Sequence, residues 1–270
     1  MPLISVVTPV RPGKHAFLTE AWASLHEQTL PPGWEWEWLV QQDGPDGSVW
    51  DVLPQDPRIH SGSARAGGAG VARTMALGRA RGTLVRALDA DDLLLPGALH
   101  RDVTALHSSG AAWCVSACLD LMPDGTLRPG PWDPPEGPLE LAPLREQFEA
   151  GLFPVVGTHL TARTDLVRVL GGWPAYPALE ALAMVLFCAA LAPGVMIARP
   201  GGIYRKHPGM TTSEASYQRE TDFDALHRSI LMRLDSLARG GFSWLPRQSD
   251  TRGPAPSASR AEPGPQPSER

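Results

Sequence analysis

Three apolar runs near the start of the chain each stop at a polar cluster. LISVVTPV (3–10) leads into Arg11, WEWEWLVQQDG (34–44) ends on Asp43-Gly44, and TLVRALDADD (83–92) ends on three aspartates. Rich in β-branched and aromatic residues, the runs predict strands. The intervening segments carry helical spacing. AFLTEAWASLHEQ (16–28) places Phe17, Ala21, Leu25 and Leu18, Trp22 at helix intervals, and GVARTMALGRARG (70–82) predicts a helix stopped at Gly82. LPGALHRDVTALHSSG (95–110) adds a helix closed by Gly110, AWCVSACLDLM (112–122) a fourth strand, and PDGT (123–126) its turn. Strand–helix alternation implies an α/β architecture, a mainly parallel sheet flanked by helices. Ligands of such sheets bind beyond the carboxyl ends of the strands, where these polar clusters fall.

The second half is less regular. WDPPEGPLELAP (132–143) reads as a surface loop and LREQFEAGLFP (144–154) as a short helix. GTHLTARTDLVRVLGGWP (157–174) reads as strand, helix and a turn at Gly171-Gly172. ALEALAMVLFCAAL (178–191) is apolar all round, a buried helix. GVMIARPGGIYRKHPG (194–209) suggests two short strands about Pro200-Gly201-Gly202, and 217–240 an amphipathic helix ended by Gly240. From Pro246 the Pro, Ser, Gly and charge content predicts a disordered tail. The expected organisation is two halves of one domain, 1–110 and 111–245, then the tail (246–270).

A net charge of −5 over 270 residues argues against a nucleic-acid partner. Three cysteines, Cys114, Cys118 and Cys188, form no CxxC pair and read as reduced thiols. MPLISVVTPVRPGKH lacks the order of a signal peptide, and residues 179–192 are too short, with Glu180 among them, to cross a bilayer. Both point to a cytoplasmic protein with no transmembrane segment.

Asp89, Asp91 and Asp92 repel one another, so their placement at a strand end needs a reason. A hard divalent cation, Mg²⁺ or Mn²⁺, supplies one, since it takes oxygen ligands from one or two carboxylates and from substrate phosphates. In a plain structural reading, Asp92 caps the next helix and Asp89 solvates a turn. SARAGGAG (63–70) matches no phosphate-loop spacing and reads as a flexible turn; Asp51 and Asp56 read as loop solvation, and the WEWEW tryptophans as packing.

The ordered series VVTPV, SLHEQTLP, WLVQQDG, GVARTMALGRARGTLVRALDADDLLLPGAL, GGWP and YRKHPG resembles glycosyltransferase family 2, of GT-A fold, over about residues 3–210. The resemblance implies a metal-dependent, inverting glycosyltransferase that uses a nucleotide-sugar donor, most simply a UDP-sugar, and an acceptor hydroxyl of unspecified kind. It implies that Thr8, Pro9, Val10 and Arg11 line the nucleotide pocket, and that Asp43 and Arg73 contact the nucleotide. Asp89-Ala90-Asp91 is the family's DXD motif, with Asp91 the metal ligand, and His207 approaches the metal or diphosphate. The family's "DG" turn has a second aspartate where Gln42 stands here, and its "ARN" asparagine is Thr74.

The family's general base is the aspartate of an "ED" pair. Glu180 matches the glutamate, and Ala181 stands in the aspartate position. Three outcomes follow: Glu180 acts as base, a carboxylate such as Asp165 or Glu149 replaces it, or the protein binds nucleotide sugar without transferring it. A metal-dependent nucleotidyltransferase is a weaker rival, because TPVRPGKH is only a faint version of its loop.

Overall fold

The computed structural model describes residues 1–45, 47–130, 133–214, 217 and 221–245. The tail expected at 246–270 lies outside these residues.

β1 (Leu3–Val10) is flanked in parallel by β2 (Glu35–Asp43) on one side and β4 (Leu84–Ala87) on the other. β3 (Ile59–Ala64) adds in parallel outside β2. Beyond β4 comes β9 (Leu160–Arg163), antiparallel both to β4 and to the next strand, β6 (Trp113–Leu121). β10 (Gly194–Arg205) runs parallel to β6, and β5 (Leu93–Leu94) closes the edge. The short strands β7 (Leu127–Pro129) and β8 (Gly137–Leu139) pair with β6 and β10. Because β9 reverses direction twice over, β1, β2, β4, β6 and β10 all point their carboxyl ends to the same side. The chain order also reverses at β1, which creates the crevice expected of open α/β sheets.

Helices cover both faces. On one lie α1 (Leu18–His26) and α3 (Ala98–Ser109), burying Leu18, Ala21, Leu25, Leu99, Val103 and Leu106. On the other lie α2 (Ala69–Leu77), α4 (Leu141–Glu149), α5 (Thr164–Val169), α6 (Glu180–Leu191) and α7 (Phe223–Arg239). Asp222 caps α7 by accepting the Ala225 N–H at 2.8 Å. Leu226, Ile230 and Leu234 form the buried stripe of α7, each contributing about 2 kcal/mol of burial.

Five sequence expectations change. β3 carries no apolar alternation and no element is expected at 59–62; it forms because the edge of β2 offers a full ladder from Trp38 to Asp43. α2 ends at Gly78, not Gly82. Gly82 instead lies against β1, where a Cβ would come 2.6 Å from the Leu3 carbonyl oxygen. The two strands expected at 194–205 are one, with a register shift between Ile197 and Gly202 absorbing the Pro-Gly-Gly sequence. The 132–143 loop contains β8, while Pro131 and Trp132 lie outside the described residues. The C-terminal helix starts at Phe223 rather than Tyr217, and 218–220 lie outside the described residues.

Arg86 and Asp102 form a buried pair beneath the sheet, Nε to Oδ2 at 3.5 Å, and Thr161 donates to Asp102 at 2.7 Å. Arg86 also donates to the His159 carbonyl. Burial, then the Arg86 charge, push the His159 imidazole down to about 3. An unfolded histidine titrates near 6.5. Below that pH the unfolded chain takes up a proton that the folded chain refuses. Stability therefore falls as pH drops from about 6.5 toward the folded value, by up to about 1.4 kcal/mol per pH unit from this group. Urea unfolding of wild type and His159→Gln between pH 7 and 4.5 checks this, and the variant is expected to show the shallower decline.

Candidate active site

A cavity of about 1100 Å³ opens over the shared carboxyl edge of the sheet. Pro9, Val10 and Arg11 reach it from the end of β1, Asp43 from β2, Asp89, Ala90 and Asp91 from the turn after β4, and His207 from beyond β10. Arg73 on α2 and Glu180 at the start of α6 complete the set. Thr8 is the exception. It is fully buried on the core side of β1, where its hydroxyl accepts from Trp38 Nε1 at 2.8 Å, and it does not line the cavity. Trp22 stacks on Trp38, so these tryptophans pack rather than face a ligand.

Arg73 is the centre of the charged cluster. Only 1% of its side chain is exposed; Nη2 donates to Asp89 Oδ1 at 2.5 Å and Nη1 to Glu180 Oε1 at 2.7 Å. Burial works to lower the pKa of Arg73, but the two carboxylates outweigh it and leave it raised. One guanidinium thus holds carboxylates 91 positions apart in sequence (180 − 89) in one plane of charge. The start of α2 packs closely on the segment that leads into α6. A Cβ at Gly70 would lie 2.2 Å from the Pro174 carbonyl oxygen, so only glycine fits there.

The next carboxylates are sorted by their surroundings. Burial pushes Asp89 up, partly offset by Arg73, with Asp91 adding to the rise. Asp92 is held well above the usual carboxylate range, by burial first and then by Asp89 and Asp91. It does not cap α3, whose N-cap is Gly97; its Oδ1 accepts the Arg205 N–H at 3.0 Å. Arg205 also donates from Nε to the Asp91 carbonyl at 2.9 Å. These two bonds staple the end of β10 to the aspartate turn. Two residues on, His207 Nε2 meets Asp91 Oδ2 at 2.9 Å.

Among the described residues no group of three or more His, Cys, Asp or Glu forms a metal cage. Of the cavity's carboxylates, Asp91 is the one in contact with the His207 imidazole. That pair suits Mg²⁺ or Mn²⁺, which complete their shells with water and substrate phosphate oxygens.

Asp43 lines the cavity and is itself held by backbone donors. Its Oδ1 accepts the Gly67 and Gly68 N–H groups at 2.6 and 3.1 Å, so the glycine-rich 63–70 stretch is fastened to it. Neither alternative base reaches the cavity. Glu149 pairs with Arg145 on α4, and Asp165 accepts its neighbour's N–H at the start of α5.

Three charged cavity residues escaped the sequence reading: Lys14, and the Asp120–Lys206 pair with Nζ to Oδ2 at 3.5 Å. Asp120 follows the same rule as Asp43 and Asp89, a carboxylate closing an apolar strand, and that rule finds it. Leu179, the residue before Glu180, has φ 61°, and no other described non-glycine residue has positive φ. Such a backbone costs about 1–2 kcal/mol and is held only where the surroundings fix it.

Fold and site together define a transferase of the GT-A class. Residues 5–140 match the model of glycosyl transferase family 2, and the chain belongs to that family. It is 30% identical over 130 residues to TuaG of Bacillus subtilis, a glycosyltransferase named for teichuronic acid biosynthesis. That match covers 46% of this chain and spans half the length of the relative. In fold the chain is similar to S. aureus TarS crystallised with UDP-GlcNAc, with TM-score 0.65, 17% identity, and 90% of this chain and 74% of that one covered. The UDP complex of TarS gives TM-score 0.63 over 89% and 74%. No helix among the described residues is long and apolar enough to cross a membrane.

Proposed function

We propose that this chain transfers a sugar from a nucleoside-diphosphate donor, a UDP-sugar, to an acceptor hydroxyl with inversion at the anomeric carbon. The observation that carries the reading is the Asp91–His207 pair set beside the Arg73-bridged carboxylates at one cavity wall. Pro9, Val10 and Arg11 line the nucleotide side, with Asp43 at its margin. The structures of a GT-A relative with UDP-GlcNAc and with UDP support a donor of this kind.

Asp91 and His207 would hold Mg²⁺ or Mn²⁺, whose charge offsets that on a departing diphosphate. The acceptor oxygen forms a bond to the anomeric carbon as the bond to the diphosphate oxygen breaks, and the hydroxyl proton passes to a carboxylate. Glu180 is that carboxylate in this reading. Arg73 fixes its Oε1, and the proton goes to the other oxygen. The second reading, nucleotide-sugar binding without transfer, draws on Ala181, which lines the cavity with no group able to take a proton.

Glu180→Gln separates the two, because glutamine keeps an oxygen for Arg73 while losing the base. UDP release from UDP-sugars and UDP affinity by calorimetry, each with and without Mn²⁺, are the measurements. Turnover lower by about 100-fold at unchanged affinity is expected for a general base. Wild-type binding with no turnover from any donor and acceptor pair favours the second reading.

A further inference from the structure

The cavity is larger than the roughly 300–1,000 Å³ typical of a single-ligand pocket, which leaves room for a second substrate. Its lining divides into two chemistries. The donor-side residues are Arg11, Asp43, Arg73, Asp89, Asp91 and His207. A second wall, which meets the first at the Arg73–Glu180 pair, is built by Phe153, Val155, Pro177, Leu179, Leu182 and Phe223. Val155 and Leu182 belong to one buried apolar cluster, on which Leu179 and Phe223 pack, so this wall is the open face of a continuous core. The wall is also tightly assembled. A Cβ at Gly157 would come 2.5 Å from the Ala181 carbonyl carbon, which seats the 155–158 segment directly on the start of α6.

Hydrogen-bonding side chains are sparse on this wall. Of its described lining residues from 153 to 182, only Thr158 and Glu180 carry one, the Thr158 hydroxyl is itself buried, and beside Phe223 the Tyr217 phenol adds a third. Phe153 is 47% exposed, an unusual exposure for a phenylalanine unless something covers it. A sugar chain laid here would lose water from its hydroxyls and find few partners in exchange.

We infer that the acceptor is an alcohol carried on an apolar body, aromatic or alkyl, which rests against Phe153 and Leu179 and presents its hydroxyl toward Glu180. The inference rests on the glycosyl-transfer reading above for the name acceptor, while the apolar subsite is testable by itself.

Two probes share every hydroxyl and differ in their alkyl chain: octyl β-glucoside, below its micelle concentration, and methyl β-glucoside. Saturation-transfer NMR gives the affinity of each, with and without UDP and Mn²⁺. The expected result is at least about tenfold tighter binding of the octyl probe, the equivalent of burying about two of its methylenes. Phe153→Ser is expected to bring the two within about threefold, and Phe153→Leu to restore the preference. Equal affinities in the wild type, or a preference untouched by Phe153→Ser, overturn the inference. UDP binding in the same samples reports on the donor reading separately, because an octyl preference without nucleotide binding leaves the apolar subsite standing and removes the transferase assignment of the site.

Discussion

Arg73→Ala is expected to lower the unfolding free energy by about 3 kcal/mol, the smaller end of the cost of breaking a buried ion pair. Asp89 and Glu180 keep 23% and 15% of their side chains exposed, which lets water soften the loss and sets the estimate low. For a chain of this length the shift in Tm is about 6–12 °C. Thermal and urea unfolding measure it. Arg73→Lys tests the geometry rather than the charge, since an ammonium cannot meet two carboxylates with the planar fork of a guanidinium. Lysine is expected to recover less than half of the loss; full recovery would show that Arg73 acts as a point charge only. UDP affinity is expected to fall in both variants, because Asp89 loses the partner that orients it beside Asp91.

Asp91→Ala has the opposite profile. Asp91 and His207 are partly exposed, and their contact is worth no more than about 1 kcal/mol, so Tm stays nearly fixed. Mn²⁺-dependent tightening of UDP binding is expected to vanish, with turnover reduced by at least about 100-fold as the charge on the departing diphosphate goes uncompensated. Calorimetry with and without Mn²⁺ is the direct measurement. Undiminished metal dependence in Asp91→Ala would move the cation away from the Asp89-Ala90-Asp91 turn altogether. Together the two variants separate a residue that builds the cavity from one that works within it.

Sequence periodicity revealed the strand–helix alternation, the buried α6 and the stripe of α7, because each rests on local apolar spacing. β3 was hidden for the same reason: IHSGSA has no such spacing and takes its conformation from β2. The break in β10 was misread because Pro-Gly-Gly signals a turn locally. In the fold those glycines let the strand press against β6 and against His159, the residue before β9. A Cβ at Gly201 would lie 2.1 Å from Ser116 Oγ, and one at Gly202 2.8 Å from the His159 ring. Arg73, Asp89, Asp91, Glu180 and His207 were all found by motif, and they share one cavity. Their pairing was not legible, since Arg73 and Glu180 lie 107 positions apart (180 − 73). Thr8 was misplaced because a strand buried on both faces gives no periodic sign of which side chain points where.

The position of β9 also bears on how the chain is born. β4 takes its outer neighbour from residues 160–163, so during synthesis the first 110 residues emerge with one flank of their parallel strands unpaired. Such an open edge recruits other chains until it is covered. The interval between translation of Ala87 and of Arg163 is therefore the nascent protein's period of greatest exposure to aggregation. Shortening the chain within it removes the very strand that seals the outer edge of β4.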